Sequence, residues 1–283
     1  MPLGGRSTLA RRVVRAWIYR AAVCGAGAVA LLGAVMAVGI AREAHRPVPP
    51  PANPSASGIA ARPAQDATAP RRRPVGCVPR RPLFRVRGRR NQRRISLTFD
   101  GGPSKYTPRV LRTLRRFGAR ATFFLRGDQI HGRGHILRRT LRAGHELANH
   151  SYSHPHLPSF RQLARTSRLV RRITGFMPCL FRPPFGEWNS RLLRDARRVG
   201  MLTIYWDVDS HDSVGAGATT VFSRVVRLGR GGSIVLMHDG PGQRPATRVA
   251  LPRVLRGLRR RGYRAVTVSQ LLGLKQRFEP RRP

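Results

Sequence analysis

Three kinds of group in this sequence stand where they can do chemistry. The first are carboxylates closing short apolar runs. Ile95 to Phe99 ends on Asp100, followed by the breaker Gly101-Gly102-Pro103. An acid held by a tight turn at the mouth of a strand is how α/β enzymes present a catalytic group. A second run, Tyr205-Trp206-Asp207-Val208-Asp209-Ser210-His211-Asp212, carries three acids. The second kind are histidines. In Gly144-His145-Glu146-Leu147-Ala148-Asn149-His150-Ser151-Tyr152-Ser153-His154, His150 and His154 are four apart. On a helical turn that spacing puts two imidazoles on one side, suited to one metal ion. Pro155 keeps any such turn brief. His145 reads as structural, and His156 as a surface residue or a spare ligand. His238 closes the apolar run Ile234 to Met237 and is followed by Asp239. A histidine beside a carboxylate makes a general acid, because the partner sets its tautomer and pKa. The third kind is a rigid donor. In Phe181-Arg182-Pro183-Pro184-Phe185-Gly186 the two prolines fix the backbone and leave the Phe185 amide free to point into a site. Such an amide plus an arginine serves a reaction that builds an oxyanion.

Taken singly, each of these has a plainer reading as a strand boundary, a surface histidine or a proline-rich turn. What joins them is the elements that must carry them. From about residue 93 strand-like and helical segments alternate. Strands are expected at Ile95–Phe99, Ala121–Leu125, Glu146–Ala148, Leu180–Phe181, Leu202–Trp206, Ser233–Met237 and Arg264–Val268. Helices are expected near Pro108–Phe117, Ile136–Arg142, Phe160–Ile173, Ser190–Val199, Thr219–Leu228 and Arg248–Arg260. Gly118, Gly144, Gly200 and Gly262 fall just past helical stretches, where a left-handed C-terminal residue belongs. Repeated strand-helix units imply a parallel sheet, and about seven of them suggest a barrel rather than an open sheet. No glycine-rich dinucleotide loop and no Walker-type loop follows a strand, which leaves nucleotide binding by those routes without support.

In their order along the chain the five segments resemble the motifs of the polysaccharide deacetylase family, carbohydrate esterase family 4, over roughly residues 93–272. The resemblance implies a distorted (β/α) barrel of the NodB-homology type and metal-dependent hydrolysis of N-acetyl groups on wall or chitin-type sugars. It places Asp100 on the general base, Arg182 on the residue orienting that base, His238 on the general acid and Asp212 on the acid tuning it. His150 and His154 fall on metal-binding histidines, with Zn²⁺ the expected divalent ion. Phe185 supplies the backbone amide of the oxyanion site, beside Pro184. Two positions depart from the family. Gly101 stands where a second Asp usually completes an Asp-His-His metal site, leaving water, His211 or Asp207 to fill the gap. Ser213 stands where the family often has Trp.

The rest of the chain suggests where such a domain works. Arg11, Arg12, Arg15 and Arg20 precede Ala21 to Ile40, a stretch without a charged side chain. That length matches the roughly 20 residues of a membrane-spanning helix, with the arginines inside and the remainder outside. Cleavage near Ala37-Val38-Gly39 is the alternative, giving a secreted protein. The layout expected is a basic cytoplasmic segment (1–20), a span or signal (21–41), a disordered Pro/Ala/Arg-rich linker (42–92), the catalytic domain (93–275) and a tail (276–283). Cys77 and Cys179 can pair if that domain is extracytoplasmic. Lys+Arg is 55 against 12 Asp+Glu, a formal net charge of +43, and Lys105 and Lys275 are the only lysines. Such a field favours polyanions, including anionic wall polymers. The arginines are dispersed and form no nucleic-acid motif, so no specific nucleic-acid partner is expected.

Overall fold

The structure, a computed structural model, describes residues 74–77, 84–242 and 244–278. The expected membrane span or signal, its cleavage point, the basic N-terminus and most of the linker lie outside the described residues. Among the described residues no helix is long and apolar enough to cross a membrane.

The strands are β1 (Pro74–Cys77), β2 (Phe84–Arg85), β3 (Arg94–Asp100), β4 (Ala121–Leu125), β5 (Glu146–Asn149), β6 (Leu180–Phe181), β7 (Leu202–Ile204), β8 (Val208–Asp209), β9 (Ile234–His238), β10 (Arg264–Ala265) and β11 (Gln276–Phe278). The α-helices are α1 (Thr107–Arg116), α2 (Gly134–Arg142), α3 (Phe160–Thr174), α4 (Ser190–Arg198), α5 (Ala218–Leu228), α6 (Pro245–Arg260) and α7 (Val268–Leu272). The main sheet is parallel throughout, in the order β2-β7-β6-β5-β4-β3-β9-β8, with β10 joining the start of β3. Near one end of that order lies β7 and at the other β8, yet only Tyr205-Trp206-Asp207 separate them in sequence. So short a link forces the sheet to curl. Tyr205 N donates to Arg85 O (2.7 Å) at one side of it, and Asp207 N donates to Ile234 O (3.2 Å) at the other. The expected barrel is therefore realised as a curled, parallel half-barrel.

Strand alternation builds two cores from adjacent residues. On β4, Phe123 packs outward with Leu97, Phe99, Val235 and helix residues such as Leu114 and Val254, while Phe124 packs inward with Ala148, Leu180 and Ile204. Both faces are covered, so β3 and β4 are buried along almost their whole length. Helix α7 plugs the inner face from below, placing Val268 and Leu271 in that cluster. Glu146 is buried at this lower end, its carboxylate accepting from Thr122 Oγ1 (2.8 Å) and from Ser269. Burial raises its pKa.

Several boundaries differ from expectation for identifiable reasons. The last strand stops at Ala265 because Thr267 and Gln270 form a reciprocal cap that starts α7. The strand at 202 stops at Ile204, where the chain crosses to β8. Ordered structure also begins before residue 93: β2 pairs with β7, and β1 pairs antiparallel with β11, inside the spans expected as linker and tail. These are edge pairings of two to four residues, too short for a hydrophobic period to mark. Cys179 is disulfide-bonded. The side chains of Cys77 and Cys24 lie outside the described residues.

Candidate active site

In a parallel sheet all strand ends of one polarity meet at one rim, and here the C-terminal ends gather the candidate residues. Asp100 ends β3, His238 ends β9, and His150 and Arg182 follow β5 and β6 directly. Arg182 is fully buried and organises the centre. Its Nη1 donates to Asp100 Oδ1 and to Thr98 Oγ1, each at 2.7 Å. Its Nε and Nη2 reach the carbonyls of Ile204 (3.3 Å) and Tyr205 (3.1 Å), and the guanidinium lies 4.1 Å from the Phe124 ring centroid. Burial lowers the arginine's pKa and the bonded Asp100 opposes that shift. Removing either partner of such a buried, hydrogen-bonded pair strands the other charge.

The second pair is His238 and Asp212. Nδ1 of His238 lies 2.8 Å from Asp212 Oδ1, and the His238 amide donates to Oδ2 at 2.8 Å. A third donor, Thr247 Oγ1 on α6, reaches the same Oδ2 at 2.5 Å. Burial opposes charge on both partners, yet mutual bonding wins: Asp212 is held below the usual carboxylate range and His238 above its ordinary value of 6.5. The carboxylate fixes the proton on Nδ1 and leaves Nε2 for the site.

The histidine pair is arranged differently from expectation. Residues 150–154 form no helical turn; Ser151 (φ 68°) and His154 (φ 66°) adopt left-handed backbone instead. This loop still brings the two Nε2 atoms to 3.2 Å. Nδ1 of His150 is 2.8 Å from Arg182 O, which can only accept, so Nδ1 carries the proton and Nε2 presents its lone pair. Burial lowers the pKa of His150 to about 4 and also lowers that of His154, keeping both rings in the neutral, ligating form. Asp100 Oδ2 lies 3.8 Å from His150 Nε2. Two converging neutral imidazoles suit a divalent cation as a two-histidine donor set. Among the described residues no group of three His, Cys, Asp or Glu is placed to hold a metal ion. Asp207 is excluded as a gap-filler: it binds Ile234 N (2.8 Å), Ser233 Oγ (3.0 Å) and Arg90 (3.0 Å) at the start of β9, the far end from His238. His211 takes a left-handed conformation, its amide bonded to Asp209 Oδ1 (2.7 Å).

Gly101 is more than a missing ligand. Its φ is +83°, and a Cβ there would run into the carbonyl oxygen of Gly240. At Gly102 a Cβ would lie 2.5 Å from both carboxylate oxygens of Asp239. Asp239 itself is buried, accepts from Thr107 Oγ1 (2.5 Å), and leaves Oδ1 without a partner. Burial, with the charge of Asp100 adding to it, pushes its carboxyl up to about 7. The turn after β3 is thus fitted against the turn after β9 with no room for side chains.

On the rim, Phe185 has φ 56° inside a short 3₁₀ turn that begins at Pro184, and its amide makes no hydrogen bond among the described residues. The exposed Phe185 ring meets His154 edge-on at 4.6 Å and stacks on His156 at 4.3 Å. His156 pairs with Glu187 (3.2 Å) at the surface, so it stands at the rim rather than beside the other two histidines. His145 is structural as expected, its Nδ1 accepting from Ala121 N at 3.2 Å. Sequence reasoning missed Thr98, Thr247 and the Thr107–Asp239 bond. Thr98 had a signal, lying two residues before Asp100 on the same strand face; Thr247, on a distant helix, had none.

The geometry can be set beside known proteins. The family model described as polysaccharide deacetylase matches residues 87–204. A peptidoglycan-N-acetylglucosamine deacetylase of Bacillus cereus is 35% identical over 193 residues, which are 65% of this chain and 91% of that protein. The chain belongs to the polysaccharide deacetylase family. A larger family relative from Listeria monocytogenes, also a peptidoglycan-N-acetylglucosamine deacetylase, is 36% identical, and the match spans only 40% of its length. A crystal structure of a peptidoglycan N-acetylglucosamine deacetylase carrying a naphthalenyl N-oxidanyl-benzamide superposes with a TM-score of 0.66 at 31% identity, over 69% of this chain and 95% of that one. A family pseudoenzyme from Bacillus anthracis superposes with a TM-score of 0.61 at 30% identity, over 66% of this chain and 67% of that one.

Proposed function

We propose that this member of the family is a metal-dependent N-deacetylase of an extracytoplasmic glycan, peptidoglycan or a chitin-type oligosaccharide. The observation that carries the reading is the completeness of two proton-handling pairs, Asp100–Arg182 and Asp212–His238, facing one rim. His150 and His154 would hold the divalent ion, Zn²⁺ being the simplest choice for two imidazoles. Bound there, the ion supplies a Lewis acid that polarises the acetyl carbonyl and acidifies a water. Asp100, fixed by Arg182, takes the proton of the attacking water. The unpaired Phe185 amide donates to the oxyanion as the carbonyl becomes tetrahedral. His238 delivers the proton on Nε2 to the departing amine, and Asp212 stabilises the imidazolium before that transfer. Acetate and a free amino sugar leave. An N-terminal span that keeps the domain outside the cytoplasm, or a cleaved signal, brings it to such a substrate.

A second reading, a glycan-binding pseudoenzyme, is favoured by one observation: residue 101 contributes no ligand and no three-ligand group exists among the described residues. Acetate release from peptidoglycan and chitin oligomers, with Zn²⁺ present, separates the two. The deacetylase reading expects release to fall about 10²–10⁴-fold in Asp100→Asn, the usual worth of a positioned base. Wild-type release no higher than that variant's, in protein that binds the oligomers, establishes the pseudoenzyme instead.

A further inference from the structure

At the end of the sheet away from Asp100 lies a cavity of about 730 Å³. Strand β3 separates the two places, Arg94 at its start lining the cavity and Asp100 at its end facing the rim, roughly 20 Å apart for a strand of this length. Four arginines line the cavity, Arg94, Arg120, Arg259 and Arg264, with Phe117 and Tyr263 as aromatic surface and no acid among the lining residues. None of the four makes an ion pair among the described residues. One of them is held in place by neutral groups. Arg94 donates to Gln92 Oε1 (3.0 Å) and Gln270 O (3.1 Å). Arg120 packs close to Gly144, where a Cβ would sit 3.2 Å from its guanidinium carbon.

The geometry points to a second binding site here, for a linear polyanion with phosphodiester or similar closely spaced anionic groups. Arginines such as Arg168 and Arg172 on α3 are exposed and line no such cavity. Four arginines lining one concavity focus their field on a common volume and can offer charge-assisted donors to several anionic groups at once. The volume is that of a ligand of many atoms rather than of one inorganic anion. A catalytic rim at one end of the sheet and an anion-binding cavity at the other would hold the domain against an acidic polymer without occupying the rim. This site stands independently of the proposed deacetylase chemistry.

Bulk charge of +43 binds any polyanion weakly, so the test must separate place from total charge. Calorimetric titration of the full chain with inorganic tripolyphosphate, at about 0.15 M salt to screen the diffuse field, serves that purpose. Arg259→Gln/Arg264→Gln removes two charges at exposed cavity positions, and Arg168→Gln/Arg172→Gln removes two from α3. The expected result is about tenfold weaker binding in the first variant and less than twofold in the second, with melting temperatures showing both folded. Equal weakening in the two variants, or no wild-type binding at this salt, overturns the proposal. Orthophosphate binding as tightly as tripolyphosphate overturns the requirement for a chain.

Discussion

The two flanks of the rim are built to different standards. On the flank formed by β3, β6 and β9, both candidate proton-handling groups have a partner of opposite sign backed by a threonine: Asp100 has Arg182, which also donates to Thr98 Oγ1, and His238 has Asp212, which also accepts from Thr247. On the β5 flank, two neutral imidazoles converge without a carboxylate from residue 101. The contrast teaches that the buried charged pairs and the histidine pair proposed to hold a metal are separable parts of this site. The first is assembled from the ends of four strands and from a helix. The second depends on one backbone turn, and that turn is closed against Gly240.

The largest effect tests the complete flank. Arg182→Met should leave Asp100 buried without its partner and cost about 3–5 kcal/mol of stability, read as a denaturant midpoint shift. Adding Asp100→Asn should recover part of that loss, because the stranded charge is gone. A double variant no more stable than the single would show that Arg182 acts through packing on Phe124 instead.

The next effect tests the incomplete flank. Gly101→Ala should destabilise by about 1–3 kcal/mol, since it combines a left-handed φ with contact against the Gly240 carbonyl. Gly101→Asp should be destabilised at least as much, and its Zn²⁺ affinity by calorimetry should rise less than tenfold. A Gly101→Asp protein of wild-type stability that binds Zn²⁺ far more tightly would break the contrast, making residue 101 a simple deletion that can be reversed.

The smallest effect is on pH dependence. His238 is raised above 6.5, so its bond to Asp212 contributes fully below that pH and is lost as pH rises through the raised folded value. Asp212 is lowered below 3.8, so its contribution is present above that pH and is lost as pH falls through the lowered folded value. The pair therefore stabilises most between about 4 and 6.5. Asp212→Asn should remove this plateau in thermal melts and move the alkaline limb of any acetate-releasing activity to lower pH. An unmoved limb would mean that another group supplies the proton.

Much of this is legible in the sequence. The runs Ile95–Phe99, Ala121–Leu125 and Leu180–Phe181 read as strands because they are short, uncharged and rich in apolar residues, and all three lie within observed strands. Asp100, Arg182 and His238 stood out because each closes or follows a short strand-like run, and Asp212 because it ends a segment holding three of the twelve acids, with the roles coming from the family resemblance. Less legible was the His150–His154 turn, where spacing suggested a helix but the backbone uses left-handed residues that sequence seldom announces. The cavity arginines were invisible as a group, since Arg94, Arg120, Arg259 and Arg264 are indistinguishable in sequence from arginines on open helix faces.

By itself the sequence determined the strand-helix alternation, the candidate acids and histidines, and the absence of a carboxylate at 101, because these follow from local pattern and residue type. Tertiary structure alone decided which of them meet. Curling of the sheet through Tyr205–Asp207 brings the carbonyls of Ile204 and Tyr205 to Arg182 and, through it, to Asp100, while α6 delivers Thr247 to Asp212. It also decided that Gly101 is enclosed, since the carbonyl that fills its side-chain space belongs to Gly240, which only the pairing of β3 with β9 brings alongside.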